Sequence, residues 1–134
     1  MTIFLRLAGA TLCSMLVCTA HAAECLKYEP AVVTVSGELH RAIFPGRPNF
    51  ESIASGDEPE TGFYLTLKEP LCTQADAAGE QEAQAGVHEV QLVLTQKQYA
   101  QWRPKLGQQV TLHGGLFAAF SGHHHAPVLL KVAD

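Results

Sequence analysis

The sequence predicts a mainly β fold: a small five-stranded OB-like barrel with one short helix between strands three and four. Three observations lead there. Five apolar segments carry strand-type alternation or β-branched enrichment and are separated by Pro, Gly and polar runs. A single stretch with helical spacing falls between the third and the fourth of them. Finally, Val33-Thr34-Val35-Ser36-Gly37-Glu38-Leu39 is echoed in character, position by position, by Val110-Thr111-Leu112-His113-Gly114-Gly115-Leu116. The echo is too widely spaced for a solenoid repeat. It reads as two equivalent long strands, each bent at a glycine, as the first and fourth strands of such a barrel commonly need. A sandwich or another small barrel with one helix is the rival arrangement.

The chain of 134 residues is 47% apolar and 16% charged, with formal charge −4. Its first segment reads as an address. Arg6 supplies a positive start, Leu7 to Val17 is an apolar run too short to span a bilayer, and Ala20-His21-Ala22 is a small-x-small cleavage site. Met1–Ala22 is therefore expected to be a Sec-type signal peptide cleaved after Ala22. What remains, residues 23–134, is expected to be a single periplasmic or secreted domain with no membrane span. Arg6 is the only charged residue of the leader, so its removal takes the net charge from −4 to −5. Cys13 and Cys18 leave with it. Cys25 and Cys72 remain, in an oxidising compartment, and are expected to pair.

In chain order, Ala31 to Phe44 is the first strand, with Val33, Val35 and Leu39 on one side and Gly37 at its coil. Pro45 to Gly62 reads as a long loop, and Phe63 to Leu67 as a second strand ended by Pro70 and Cys72. Thr73 to Gly86 is rich in Ala, Gln and Glu, lacks large apolar residues, and reads as a solvated, mobile connection. Val87 to Leu94 is the third strand. Thr95 then caps a helix over Gln96 to Leu106, whose Tyr99, Trp102 and Leu106 share a face directed at the core; Pro104 shortens it and Gly107 stops it. Gln109 to Phe120 is the fourth strand, Gly122 to His125 a turn, and Pro127 to Val132 the fifth strand.

Composition and motifs exclude several function classes. A mildly acidic chain without clustered basic residues argues against nucleic acid as partner. There is no nucleophile elbow, P-loop or dinucleotide fingerprint, which argues against an enzyme of those kinds. Two segments stand out instead: Phe44-Pro45-Gly46-Arg47-Pro48-Asn49-Phe50-Glu51 and Ser121-Gly122-His123-His124-His125-Ala126-Pro127. On the OB reading they form the strand 1–2 and strand 4–5 loops, which flank the usual ligand face. Arg47, Asn49, Asp57, His123 and His125 are the candidate ligand-binding residues. Arg47, between prolines, suits a carboxylate or phosphate; a structural pair with Asp57, Glu58 or Glu60 is the alternative. In an extended turn His123 and His125 point to one side and His124 to the other. His123 and His125 are thus placed to share a divalent transition metal such as zinc, with His113, His40 or Asp57 completing the shell. Without such a metal, the turn's imidazoles would hydrogen-bond loop backbone.

At these motifs the sequence resembles a family of small exported bacterial proteins, the domain-of-unknown-function family 4431. The resemblance rests on Gly37 to Leu39, Phe44 to Ile53 (F-P-G-R-P-N-F-E-S-I), Gly56-Asp57 and Pro70-Leu71-Cys72. It continues through Gly107 to Phe117 (G-x-x-V-x-L-x-G-x-L-F) and Gly122 to Leu130 (G-H-H-H-A-P-V-L-L). It implies export and a shared small domain, and carries no activity to transfer. The expected function is a noncatalytic binding module for a small molecule, glycan or envelope protein. The alternatives are an inhibitor-like protein acting on an envelope partner, and a metal-binding protein or metalloenzyme that uses the His run.

Overall fold

Strand β1 (Val33–Pro45) starts the barrel with the alternation its sequence carries: Val35, Gly37 and Leu39 are buried while Thr34, Ser36 and Glu38 face out. The computed structural model describes residues 24–134, and the export signal expected over Met1–Ala22 lies outside the described residues. A short 3-10 turn (Ile53–Ser55) follows in the loop, and then come β2 (Pro59–Thr73), β3 (Gln84–Val93), helix α1 (Gln96–Trp102), a second 3-10 turn (Arg103–Lys105), β4 (Gln109–Ala118) and β5 (Val128–Val132). The strands close into a barrel in the order β1-β2-β3-β5-β4. All neighbours are antiparallel except β3 and β5, which run parallel. With the helix between β3 and β4, this is the OB-like arrangement; the β1–β4 pairing that shuts the sheet rules out the sandwich.

The two echo segments turn out to be hydrogen-bonded neighbours, Val33 opposite Gly114 and Gly37 opposite Val110. Gly114 is required by sterics: a Cβ there would run into the backbone carbonyl of Lys131 on β5. Leu39, Leu65, Val90, Leu112, Leu116, Val128 and Leu130, all 2% exposed or less, fill the interior. Tyr99, Trp102 and Leu106 pack on this core from the helix segment, as their spacing requires. Thr95 caps α1 in a reciprocal box with Gln98. The α-helix stops at Trp102 rather than running to Leu106, because Pro104 has no N–H to continue the ladder and the chain tightens into 3-10 geometry.

Three further boundaries differ from expectation. β2 begins at Pro59, inside the segment that reads as loop, because β1 offers a partner register as far as Pro45 opposite Pro59. It also continues through Pro70, which sits in a register shift between Thr66 and Leu71 where the ladder is interrupted. The connection after β2 is shorter and better tied than its composition suggests. Asp76 accepts from the N–H groups of Glu80 and Gln81, and the Gln81 side chain accepts from Ala118 N at 2.8 Å.

Cys25 and Cys72 form a disulfide. Around it Leu26 pairs with Thr73, and the buried Tyr28 hydroxyl accepts from Thr73 Oγ1 at 2.9 Å. The segment ahead of β1 is thereby fastened to the end of β2. No helix of the described residues is long and apolar enough to cross a membrane.

Candidate functional site

β1 and β2 extend as a ribbon beyond the point where β1 leaves β4, with pairing that runs from Glu38–Thr66 to Pro45–Pro59. The loop at the ribbon tip is organised by Asp57, a buried residue. Its carboxylate accepts from the backbone N–H groups of Asn49 (2.9 Å), Glu51 (2.8 Å) and Ser52 (2.8 Å), and from the Asn49 side-chain amide (3.2 Å). Backbone donors, with Ser52 the strongest, hold its carboxyl below the usual Asp value against the opposing cost of burial. Asp57 is thus committed to the loop's shape, and Asn49 is half of that arrangement. Arg47, on the same loop, is exposed. None of the structural ion pairs expected for it forms among the described residues: Asp57 is occupied by backbone, and Glu60 by histidine.

The β4–β5 loop folds back over the outer side of β1, β2 and β3. Ser121 to His124 is a turn closed by His124 N donating to Ser121 C=O. Gly122 sits against the Phe50 ring, where a Cβ would come within 2.7 Å of a ring carbon. His123 Nδ1 lies 2.7 Å from Glu60 Oε2 and its ring meets Phe50 edge-on at 4.8 Å. His125 stacks flat on Phe44, centroids 4.4 Å apart, with Nε2 at 3.9 Å from Glu60 Oε1. His124 turns the other way, accepts from Phe120 N at Nδ1 and packs edge-on against Phe117 and Phe120. The alternation of the run is therefore as its spacing predicts, and the two unusual loops are joined face to face.

Gln91 on β3 fastens this loop from below. Its amide donates to His123 C=O (2.8 Å), and its carbonyl oxygen accepts from His125 N (2.6 Å). Sequence reading missed it, since a polar residue in a strand is ordinarily a solvent-facing one. Beneath the loop, Tyr64 packs against Phe44 and His40. Burial first, then the charges of Glu89 and Glu60, push its phenol far above the ordinary range, so it stays protonated. The Tyr64 hydroxyl and His125 Nε2 are buried and make no hydrogen bond among the described residues. Burial, followed by His123 and His125, lowers the His124 imidazole.

The expected metal set does not assemble. His113 is on β4, opposite Thr34, whose hydroxyl lies 2.8 Å from its Nδ1; it lines a cleft with Trp102 and Lys97 rather than the His123–His125 loop. His40 is engaged by Glu89 and Thr66, and Asp57 by its own loop. Among the described residues no group of three or more His, Cys, Asp or Glu side chains is arranged to hold a metal ion.

Residues 89–134 match the model of a family described as Domain of unknown function (DUF4431). The match covers 46 of the 134 residues, about a third of the chain, and marks this segment as similar to that family. The match takes in Gln91's strand from Glu89, α1, β4 and the His run with β5, and leaves the Arg47 loop and both cysteines outside. No curated protein and no solved structure matches the chain.

Proposed function

We propose that this protein is an exported, noncatalytic binding module whose ligand docks on the joined β1–β2 and β4–β5 loops. One observation carries the reading: the two loops are cross-braced into a single preformed surface, yet the exposed Arg47 guanidinium on it is left without a carboxylate. A loop ordered in advance loses little entropy on binding, and an unspent guanidinium supplies a directional fork for a carboxylate or phosphate. His123 adds a second polar point. Its Nδ1 is engaged by the Glu60 carboxylate, so Nε2 is the ring nitrogen left for a ligand. The ligand class is a small molecule, glycan or envelope protein that presents an acidic group beside a hydroxyl or amide.

The test is a ligand screen by thermal shift and amide NMR, using envelope extract fractions and a panel of acidic glycans. Binding that vanishes in the Arg47→Ala/His123→Ala double variant supports the site. If every ligand found stays bound as before in that variant, the site assignment is wrong. Export is tested separately by N-terminal sequencing of protein recovered from the envelope fraction. A start at Ala23 is expected, and a retained Met1 would refute it.

A further inference from the structure

The β1–β2 ribbon has a second face, and its sequence breaks the pattern of the barrel. From Val33 to Leu39 the odd positions of β1 point into the core. The same parity continues without a bulge to Arg41, opposite Phe63, and Ile43, opposite Thr61, but both residues are exposed. An arginine thus stands where the alternation calls for a core residue. The reason lies in the topology: β1 has already left β4, and this face overhangs α1 and the 3-10 turn after it rather than closing on the interior.

Between ribbon and helix lies an open cleft of about 470 Å³. Arg41 enters from β1, Arg103 from the 3-10 turn, Thr61 from β2, and Gln96 and Tyr99 from α1. All five present N–H or O–H donors, and none of these side chains makes an ion pair or hydrogen bond among the described residues. Phe63 and Leu106 add an apolar wall. No carboxylate lines the cleft, although the whole chain has 13 acidic against 9 basic residues. Glu60, whose charge reaches Tyr99, is bonded to His123 on the opposite face of the ribbon.

We infer that this cleft binds a small organic oxyanion, its phosphate or carboxylate group held between Arg41 and Arg103 and its body laid on Phe63 and Leu106. Two guanidiniums with nothing else to pair with form a fork for a planar or tetrahedral oxyanion, with Thr61, Tyr99 and Gln96 completing its hydrogen bonds. The cleft's volume exceeds that of a bare phosphate and leaves room for a ring or short chain. The site is separate from the Arg47–His123 surface and does not depend on it.

Titration of the protein with glucose 6-phosphate, citrate and neutral glucose at constant ionic strength, followed by amide NMR, tests the inference. Saturable shifts at Arg41, Tyr99 and Arg103 are expected with at least one anion and none with glucose; which anion wins distinguishes phosphate from carboxylate. Arg41→Ala and Arg103→Ala should each weaken binding about tenfold or more, the size of one charge-assisted pair. Both residues are exposed, so the core is untouched, and Arg41→Lys, which keeps the charge but loses the fork, should fall between. Absence of saturable shifts with either anion up to about 10 mM, a limit beyond ordinary small-ligand affinities, would overturn the inference. So would binding that survives both Ala variants, or equal shifts with glucose.

Discussion

Gln91→Leu is the most direct test of how the His loop is held. The substitution keeps the side chain's bulk and removes both hydrogen bonds to the loop, at 2.8 Å to His123 C=O and 2.6 Å from His125 N. At a net worth of about 1 kcal/mol each, the loop loses about 2 kcal/mol of closure. That is about a thirty-fold shift towards the open form, given tenfold per 1.4 kcal/mol. The His125 amide reports it directly, because in the native chain its proton exchanges with solvent only when the bond to Gln91 opens, and in the variant that acceptor is gone. Its exchange in the folded variant should accelerate at least about thirty-fold, while amides of Leu65 and Val90 in the core strands stay protected. If the His125 amide exchanged within about threefold of its original rate, Gln91 would not be what holds the loop and the reasoning would fail.

Three other perturbations follow from the same structure. Replacing Cys25 and Cys72 together by Ser should lower unfolding free energy by roughly 4 kcal/mol, from the entropy of the loop that the bridge closes across a separation of 47 residues; urea titration measures it. Gly114→Ala should cost about 1–3 kcal/mol in the same assay, since its methyl group displaces the Lys131 carbonyl and the cost of overpacking exceeds the gain from a stiffer unfolded chain. Asp57 sets an acid limit. Its folded pKa lies below the ordinary value of 3.8, so its contribution is fully present above that value and is lost as pH falls through the lower folded one. The urea midpoint should therefore drop more steeply below roughly pH 4 in the native protein than in Asp57→Asn, and parallel curves would contradict this.

How much of this was legible follows from how local each signal is. The barrel was readable because the Val33–Leu39 and Val110–Leu116 echo, the helix spacing of Tyr99, Trp102 and Leu106, and the Thr95 cap are each carried within a few residues. The orientation of His123, His124 and His125 was readable for the same reason, since alternation is a property of extended backbone. Pro59–Gly62 was not: Pro, Glu and Gly read as a turn, and only a partner strand supplied from Ala42 to Pro45 makes them a ladder. Glu60 and Gln91 were invisible as partners of the His loop because their contacts span 63 and 32 residues of sequence. Asp57 was recognised as important but not for what it does. A carboxylate that collects three backbone N–H groups of its own loop has the same letter as one that waits for a ligand.

The strand order also bears on where this protein can be divided. The family match begins at Glu89, inside β3, and its strands β3, β5 and β4 stand next to one another in the barrel, so the matched segment is a contiguous half-cylinder. The other half is the β1–β2 hairpin, joined along two seams, β2 to β3 and β4 to β1. Cut there, each half would bare two rows of unpaired backbone groups and one open side of the core. The matched stretch, taken alone, therefore leaves both seams open. Two fragments split between β2 and β3 have the geometry of halves that can only be completed by each other.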